Sequence, residues 1–129
     1  MSTHPAIQGI EFDWFASDRS GNIALFSTAG AGFVPEGVIS SREEHQSISD
    51  SFETPHWGSE NIWDDYAQLG IFVFDWALNG GPYMLARAPT KTISEQLSAK
   101  LRSISFLPKL KVDFQSCTSI SKVELANDT

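Results

Sequence analysis

The sequence predicts an α+β fold, with an antiparallel sheet of about five strands built from hairpins and two or three helices packed on it. Strand-like alternation occurs in segments joined by tight turns, and segments with helical spacing stand between and after them. The resulting order, ββααββαβ, is typical of helices packed on an antiparallel sheet. We expect a single domain over residues 1–129, with loose termini at 1–8 and 126–129, because this length suffices for one hydrophobic core.

The first hairpin is predicted over residues 10–28. Residues 10–18 alternate between two sides, as a strand does. The stretch 18–22, DRSGN, favours a turn because its polar side chains bond their own backbone and Gly21 takes positive φ without strain. A second strand follows, with Ile23 and Leu25 facing inward.

Two helices are predicted between residues 35 and 70. Pro35 suits the first turn of the first helix, where its missing N–H would be unpaired anyway. Thr54-Pro55 ends that helix, and Ser59 caps a second, short helix that stops at Gly70. One stripe of the first helix carries its inward-facing residues: Val38, Ser41, His45, Ile48 and Phe52.

The rest of the chain is predicted to complete the sheet around a third helix. Residues 71–77 are apolar on both faces, which is typical of a central strand, and the turn Asn79-Gly80-Gly81 leads to a return strand over 83–88. Thr92-Ile93-Ser94-Glu95 is a capping box that opens the third helix. Residues 110–114 alternate as a last strand, and Ile120, Val123 and Leu125 extend it or form another.

Composition excludes several classes of protein. A single cysteine, Cys117, cannot form an intramolecular disulfide and favours a reducing compartment. The N-terminus lacks the pattern of a signal peptide, and the most apolar run, residues 71–78, is too short for a membrane helix and contains Asp75. We therefore expect a soluble, cytoplasmic protein.

Negative charge is concentrated in the first half of the chain. Residues 1–65 contain eleven acidic and two basic residues, and the segment Glu36–Asp65 alone carries a charge of −7. Such a segment repels nucleic acid and anionic membranes and attracts a basic partner. The alternative is that the acids only keep the protein in solution.

No metal site is predicted. The three histidines, His4, His45 and His56, have no spacing typical of a zinc site, and His45 fits a polar contact between helix and core better. The stretch 18–22 alternates like the first ligands of a calcium loop, but its glycine comes two places early and Ala29 stands where the loop requires Glu.

No cofactor or catalytic group is predicted either. Gly30 and Gly32 lie between a strand and a helix, but Pro35 occupies the place of the third glycine of a dinucleotide fingerprint. We interpret these glycines as a turn from sheet to helix. Cys117 has no nucleophile signature, and no serine lies in a GxSxG motif. We therefore expect a protein that is not an enzyme.

Acidic pairs lie next to tryptophans in the acidic segment. The residues of Glu43-Glu44 and of Asp64-Asp65 point about 100° apart on a helix, so neither pair converges as glycoside hydrolysis requires. Trp57 and Trp63 stand beside them. Each tryptophan either fills the core, as most large rings in a small domain do, or anchors an interface.

An Asp-Trp pair recurs in the two strongest strands. Aspartate is unfavourable inside a strand, so each is expected to face water or a specific partner. One hypothesis is a ligand pocket with a carboxylate as its polar group, as in a ligand-binding domain or an enzyme. Its residues would be Asp13, Trp14, Phe74, Asp75, Trp76 and Tyr83.

Two stretches resemble small bacterial immunity proteins of toxin–immunity systems. They cover about half of the chain: DWFASD at 13–18, GN at 21–22 and FSTAGAGFVP at 26–35, then YAQLGIFVFDW at 66–76 with Tyr83 and Pro89. Such proteins bind and block a cognate toxin inside the producing cell. The resemblance therefore implies a non-enzymatic, cytoplasmic protein with a protein partner.

Charge and aromatic residues lead to the same hypothesis. An acidic face is attracted to the basic cleft of a toxin that acts on nucleic acid, and tryptophans supply contact area. We predict partner binding by the segment Glu36–Asp65. Glu43, Glu44, Asp64 and Asp65 would attract the partner, and Trp57 and Trp63 would anchor it.

Overall fold

The computed structural model describes residues 11–59, 61–77, 80–121 and 124–125, so both predicted loose termini lie outside the described residues, as does Val123. The elements follow in this order: β1 (Asp13–Ser17), β2 (Ile23–Ser27), α1 (Glu36–Ser40), α2 (Arg42–Asp50), α3 (Ile62–Ala67), β3 (Phe72–Trp76), β4 (Tyr83–Arg87), α4 (Glu95–Arg102) and β5 (Ser119–Ile120). The α+β class is confirmed.

The five strands form one sheet in the order β1-β2-β3-β4-β5, but the sheet is mixed. β1 pairs antiparallel with β2 and β3 pairs antiparallel with β4, as the predicted hairpins require. β2 and β3, however, run parallel, with Leu25 opposite Val73. The prediction of an antiparallel sheet is wrong at this pair, because the chain between them forms three helices that carry it back to the same end of the sheet.

The described ranges contain four α-helices, where two or three were predicted. The first predicted helix, which was expected to begin at Pro35 and to end at Thr54-Pro55, breaks at Ser41, whose φ of −115° leaves the helical range. The Ser41 hydroxyl donates to the carbonyl of Gly37 at 2.9 Å, and such a bond back to the preceding turn commonly bends a helix. No helix in the described part of the chain is long and apolar enough to cross a membrane.

The C-terminal third departs furthest from its prediction. α4 is capped by Ser94, whose hydroxyl accepts from the backbone N–H of Leu97 at 3.1 Å, so the helix begins two residues later than the predicted box. The predicted strand over 110–114 does not form. Only Lys109 bridges the sheet, parallel to Ser17, and turns follow it.

The sheet is buried on both faces, because alternate residues of each strand enter different cores. Phe15, Ile23, Leu25 and Val73 pack under α2, α3 and α4. The opposite face holds a larger core, which residues 34–38 and the C-terminal segment cover. The large aromatic residues of this core are Trp14, Phe26, Phe74, Trp76, Tyr83 and Phe114.

His45 attaches α2 to the edge of β1. The backbone N–H of Phe15 donates to Nδ1 of His45 at 3.1 Å, and Nε2 of His45 donates to the carbonyl of Phe106 at 2.9 Å. Burial lowers the pKa of His45, so the ring is neutral and both of its nitrogens are used. This contact fixes α2 beside the first residues of β1, where the candidate site lies.

Candidate functional site

A cleft of about 380 Å³ opens at the end of the sheet where β1 begins and β2 ends. One wall is formed by α2, another by α3, and the segment 52–57 closes the side between them. The lining residues are Glu11, Phe12, Asp13, Ser27, Gln46, Ser49, Asp50, Phe52, Thr54, Trp57, Ile62, Trp63 and Tyr66. Three of them are carboxylates, and none of these described residues is Lys, Arg or His.

Asp13 lies at the base of the cleft as the first residue of β1. Its Oδ2 accepts a hydrogen bond from the Ser49 hydroxyl at 2.9 Å and a longer one from the Tyr66 hydroxyl at 3.4 Å. Within the described ranges, no donor reaches Oδ1. Among the described residues, the protein therefore holds one carboxylate oxygen and leaves the other without a donor.

The environment of Asp13 disfavours its charge. Burial is the main cause that raises its pKa from 3.8 to about 6, and the carboxylates of Asp50 and Asp75 add to it. The hydrogen bonds from Ser49 and Tyr66 only partly compensate. No described basic residue takes part in this balance, so the described part of the chain leaves the negative charge of the cleft without a cation.

Trp57 stands at the mouth of the cleft on the loop between α2 and α3. Its side chain is 81% exposed, so of the two alternatives for this ring, core and interface anchor, the structure excludes the core. The loop is fixed from below by Asp65, which accepts from the backbone N–H of His56 at 3.0 Å and pairs with His56 Nδ1 at 2.8 Å. Gly58 follows with a φ of +92°, which allows the tight turn.

Trp63 forms part of the α3 wall and is only partly exposed. Its ring packs on Tyr66, with ring centroids 6.1 Å apart, and Tyr66 in turn contacts Phe52 at 5.9 Å. Trp63 therefore belongs both to the core beneath the helices and to the cleft. The cleft thus has aromatic walls, and acidic residues lie at its bottom.

The sheet continues the acidic surface beyond the cleft. Ser27 lies opposite Asp13 on one side and Asp75 on the other, and Asp75 lies opposite Met84. Asp75 is half-buried, and burial together with the charge of Glu11 raises its pKa. Met84 is exposed, and Ser119 of β5 lies opposite it.

The other predicted partner-binding acids do not lie in the cleft. Glu43 and Glu44 border a separate depression beside Lys100, and Glu44 accepts from the backbone and hydroxyl of Ser105 at 2.9 and 3.0 Å. Asp64 pairs with Arg87 at 2.8 Å on the surface. Asp65 is buried beneath the loop, so of the six predicted residues only the two tryptophans line the cleft.

The rings of the predicted pocket form core instead of a cavity. Trp14 and Tyr83 are fully buried and Trp76 is 3% exposed. The indole N–H of Trp14 donates to the Tyr83 hydroxyl at 3.2 Å, and that hydroxyl donates to the carbonyl of Phe33 at 2.8 Å. These contacts fill the space that a ligand would need. Only Asp13 of this set lines the cleft.

Sequence reasoning missed the residues that α2 and α3 contribute to the base of the cleft. Ser49 and Tyr66 reach Asp13 across 36 and 53 positions of chain. The available signal was Asp13 itself, a carboxylate where a strand disfavours one. Among the described residues, no group of three His, Cys, Asp or Glu side chains is arranged to hold a metal ion.

Fold and site together define an α+β protein with an acidic cleft walled by tryptophans at one end of a mixed sheet. The chain matches no protein-family model, no curated protein and no solved structure.

Proposed function

We propose that this is a non-enzymatic binding protein that inhibits a basic protein partner, in the manner of the immunity proteins that its sequence resembles. The partner would contact the cleft, with Trp57 as the anchor and the carboxylates of Glu11, Asp13 and Asp50 as the attracting charges. The predicted binding face thereby keeps both tryptophans but acquires a different set of acids.

The exposed ring of Trp57 carries this proposal. An indole in water at 81% exposure contributes nothing to the core, and tryptophan is the residue most enriched among interface hot spots. The loop is held in place by the contacts of His56 with Asp65, so the ring is presented on a fixed support. A presented ring loses little conformational entropy when a partner covers it.

The charge of the surface supports a basic partner. The net charge of the chain is −7, and the cleft lies between elements of the acidic segment Glu36–Asp65. Such a field increases the rate of encounter with a basic protein and weakens as salt screens it. We expect the association rate to fall steeply with ionic strength.

Parallel capture with the wild-type protein and Trp57→Ala tests this function. Both immobilised proteins are exposed to lysate of the source cells, and bound proteins are identified by mass spectrometry. We expect one basic protein on the wild type that high salt weakens and that is missing from Trp57→Ala. Glu95→Gln, which removes one exposed acid on α4, serves as the charge control and should capture as the wild type does.

Inhibition is then tested with the captured protein itself. Expressed alone it should arrest growth, and co-expression with the wild type, but not with Trp57→Ala, should restore it. Equal capture by wild type and Trp57→Ala would contradict the assignment of the interface. Capture without any effect on the activity of the partner would contradict the inhibitor role.

A small cationic ligand is the second candidate, because the volume of the cleft lies within the range of ligand sites and its base holds a carboxyl with a raised pKa. Thermal-shift screening against metabolites, nucleotides and metal ions addresses it. A saturable increase in Tm with one compound, abolished by Asp13→Asn, would favour this reading.

A further inference from the structure

We infer that the cleft is a binding site for one arginine side chain of the partner, held between the tryptophans and bonded to Asp13 and Asp50. This inference rests on the proposed function and specifies which chemical group of the partner enters. The cleft, at about 380 Å³, lies at the lower end of the range of ligand sites, which suits a single side chain better than a length of backbone.

Acceptors without donors are the first reason. Asp13 Oδ2 is occupied by Ser49 and Tyr66, while Oδ1 has no donor among the described residues. Asp50 is exposed at the rim: its Oδ1 accepts from Gln46 at 2.9 Å, and the described residues offer no donor to its Oδ2. A guanidinium brings five N–H donors and no acceptor, so it complements this set of free oxygens.

The aromatic walls are the second reason, and they favour arginine over lysine. Trp57 and Trp63 both line the cleft, and a guanidinium is planar, weakly hydrated and able to stack on an indole face. An ammonium group is compact and strongly hydrated, so it loses more on entering an aromatic site. Lysine is therefore expected to bind in the same place, but more weakly.

The uncompensated charge is the third reason. The surroundings of Asp13 disfavour its ionised form, because Asp50 lies nearby and the described lining residues include no Lys, Arg or His. Folding alone would be better served by a neutral residue, because a desolvated carboxylate without a cation costs free energy. A cation from outside removes this cost. A metal ion does not fit, since the described residues hold no cluster of ligands for one.

The test uses three capped tripeptides, Gly-Arg-Gly, Gly-Lys-Gly and Gly-citrulline-Gly, titrated into the ¹⁵N-labelled full chain. Citrulline has the shape of arginine without its charge. We expect Gly-Arg-Gly to shift the indole N–H signals of Trp57 and Trp63 saturably, with an affinity about tenfold above that of the citrulline peptide. The lysine peptide should fall between them.

Matched variants locate the site. Asp13→Asn should lower the affinity for Gly-Arg-Gly about tenfold. Trp57→Ala should weaken it as well, and Trp57→Phe should retain part of it because a ring remains. Glu95→Gln should bind as the wild type does. Since wild-type shift mapping needs no substitution, the inference stays testable even if one variant folds poorly.

Two results would overturn the arginine site: equal affinity for the arginine and citrulline peptides, or shifts that Asp13→Asn leaves unchanged. N-butylguanidine, a small guanidinium compound with a single charge like that of the peptide, identifies the source of the cation. Much tighter binding of N-butylguanidine than of the peptide would mean a small-molecule ligand and would overturn a partner side chain as occupant. If the peptides show no arginine site, capture of a partner through Trp57 can still succeed. If capture fails, the peptide titration can still show an arginine site, so the two proposals can be contradicted separately.

Discussion

Asp13 and Ser49 form a 2.9 Å hydrogen bond that joins the first residue of β1 to the last turn of α2. The bond stabilises the ionised form of a carboxyl that burial and neighbouring charges disfavour. The titratable groups around this carboxyl come from several elements: Asp50 from α2, Tyr66 from α3, Asp75 from β3 and Glu11 just before β1. The difference in stability between the wild type and an Asp13 variant, followed against pH, should therefore report on this site.

Asp13→Asn is expected to stabilise the protein at neutral pH. The folded pKa, about 6, lies above the unfolded value of 3.8, so the contribution of Asp13 to stability is complete below pH 3.8 and is lost as pH rises through about 6. Asparagine keeps an acceptor for Ser49 without the charge. Above pH 6 the variant should gain up to about 3 kcal/mol, an upper limit because part of the side chain reaches solvent.

Urea unfolding of both proteins between pH 4 and pH 8 measures this difference. The variant and the wild type should converge near pH 4 and diverge as pH rises. A constant difference across the range would mean that the charge of Asp13 is not disfavoured in the folded state. Increased stability together with weaker partner binding would identify Asp13 as a residue retained for binding.

Trp57→Ala is expected to leave stability nearly unchanged. The ring is 81% exposed, and substitutions on the surface usually change stability by less than about 0.5 kcal/mol. Trp63→Ala is the matched comparison, because that ring packs on Tyr66 and should cost about 2 kcal/mol or more. Thermal unfolding of the two variants decides the point. A large loss in Trp57→Ala would place its ring in the core.

Asp65→Ala is expected to release the loop that presents Trp57. The contacts with His56 outweigh burial and lower the pKa of Asp65, so its contribution to stability is present at neutral pH and is lost as pH falls through that lowered pKa. Hydrogen exchange at the amide of His56, which donates to Asp65 at 3.0 Å, should become faster in the variant. The amide of Phe15, which donates to His45, is the internal control and should keep its protection.

Patterns among neighbouring residues predicted the hairpins, but they could not predict how distant strands pair. Alternation and turn chemistry are properties of neighbouring residues, so β1-β2 and β3-β4 could be recognised from the sequence. Whether β2 pairs with β3, and in which direction, depends on the path of three helices, which no periodicity reports. Residues 110–114 alternate like a strand, yet the backbone N–H of Phe114 donates to Asp18 instead.

The candidate site was harder to predict than the fold for a similar reason. Helical periodicity identified the buried stripe of α2, but it cannot show that Ser49 meets Asp13. Nor can it separate Trp57, which is exposed, from Trp63, which packs on the core, because both stand within one short stretch that is rich in polar residues. The sequence shows that the segment is acidic. Only the structure shows that Asp64 forms an ion pair, that Asp65 supports the loop and that Asp50 lines the cleft.

Asp18→Ala is expected to be strongly destabilising, although Asp18 has no part in the cleft. Its fully buried carboxylate accepts from the backbone N–H groups of Ser20, Asn22 and Phe114, and from the side-chain amide of Asn22. The loss should reach about 3 kcal/mol or more, because buried donors lose a charged acceptor. Asp18→Asn should recover little, since one of its two positions becomes a donor. Urea unfolding measures both, and a mild effect would contradict this role.

Gly32→Ala is expected to destabilise the core through Tyr83. A Cβ at residue 32 would lie 2.5 Å from the Tyr83 hydroxyl oxygen and 3.1 Å from the Cα of Thr28, so the aromatic side chain would have to move. That hydroxyl is also the acceptor for the indole N–H of Trp14. Tyr83→Phe alone should cost about 1–3 kcal/mol because it leaves this buried N–H without a partner.

The two substitutions should not be additive. Once Tyr83→Phe has removed the oxygen, Gly32→Ala has less to displace, so its cost in that background should be smaller than in the wild type. A double-mutant cycle by urea unfolding measures the coupling. Additive losses would mean that Gly32 is required for the backbone turn and not for the approach of Tyr83. Binding of Gly-Arg-Gly should be unchanged in Tyr83→Phe, because this core lies on the opposite face of the sheet from the helices that wall the cleft.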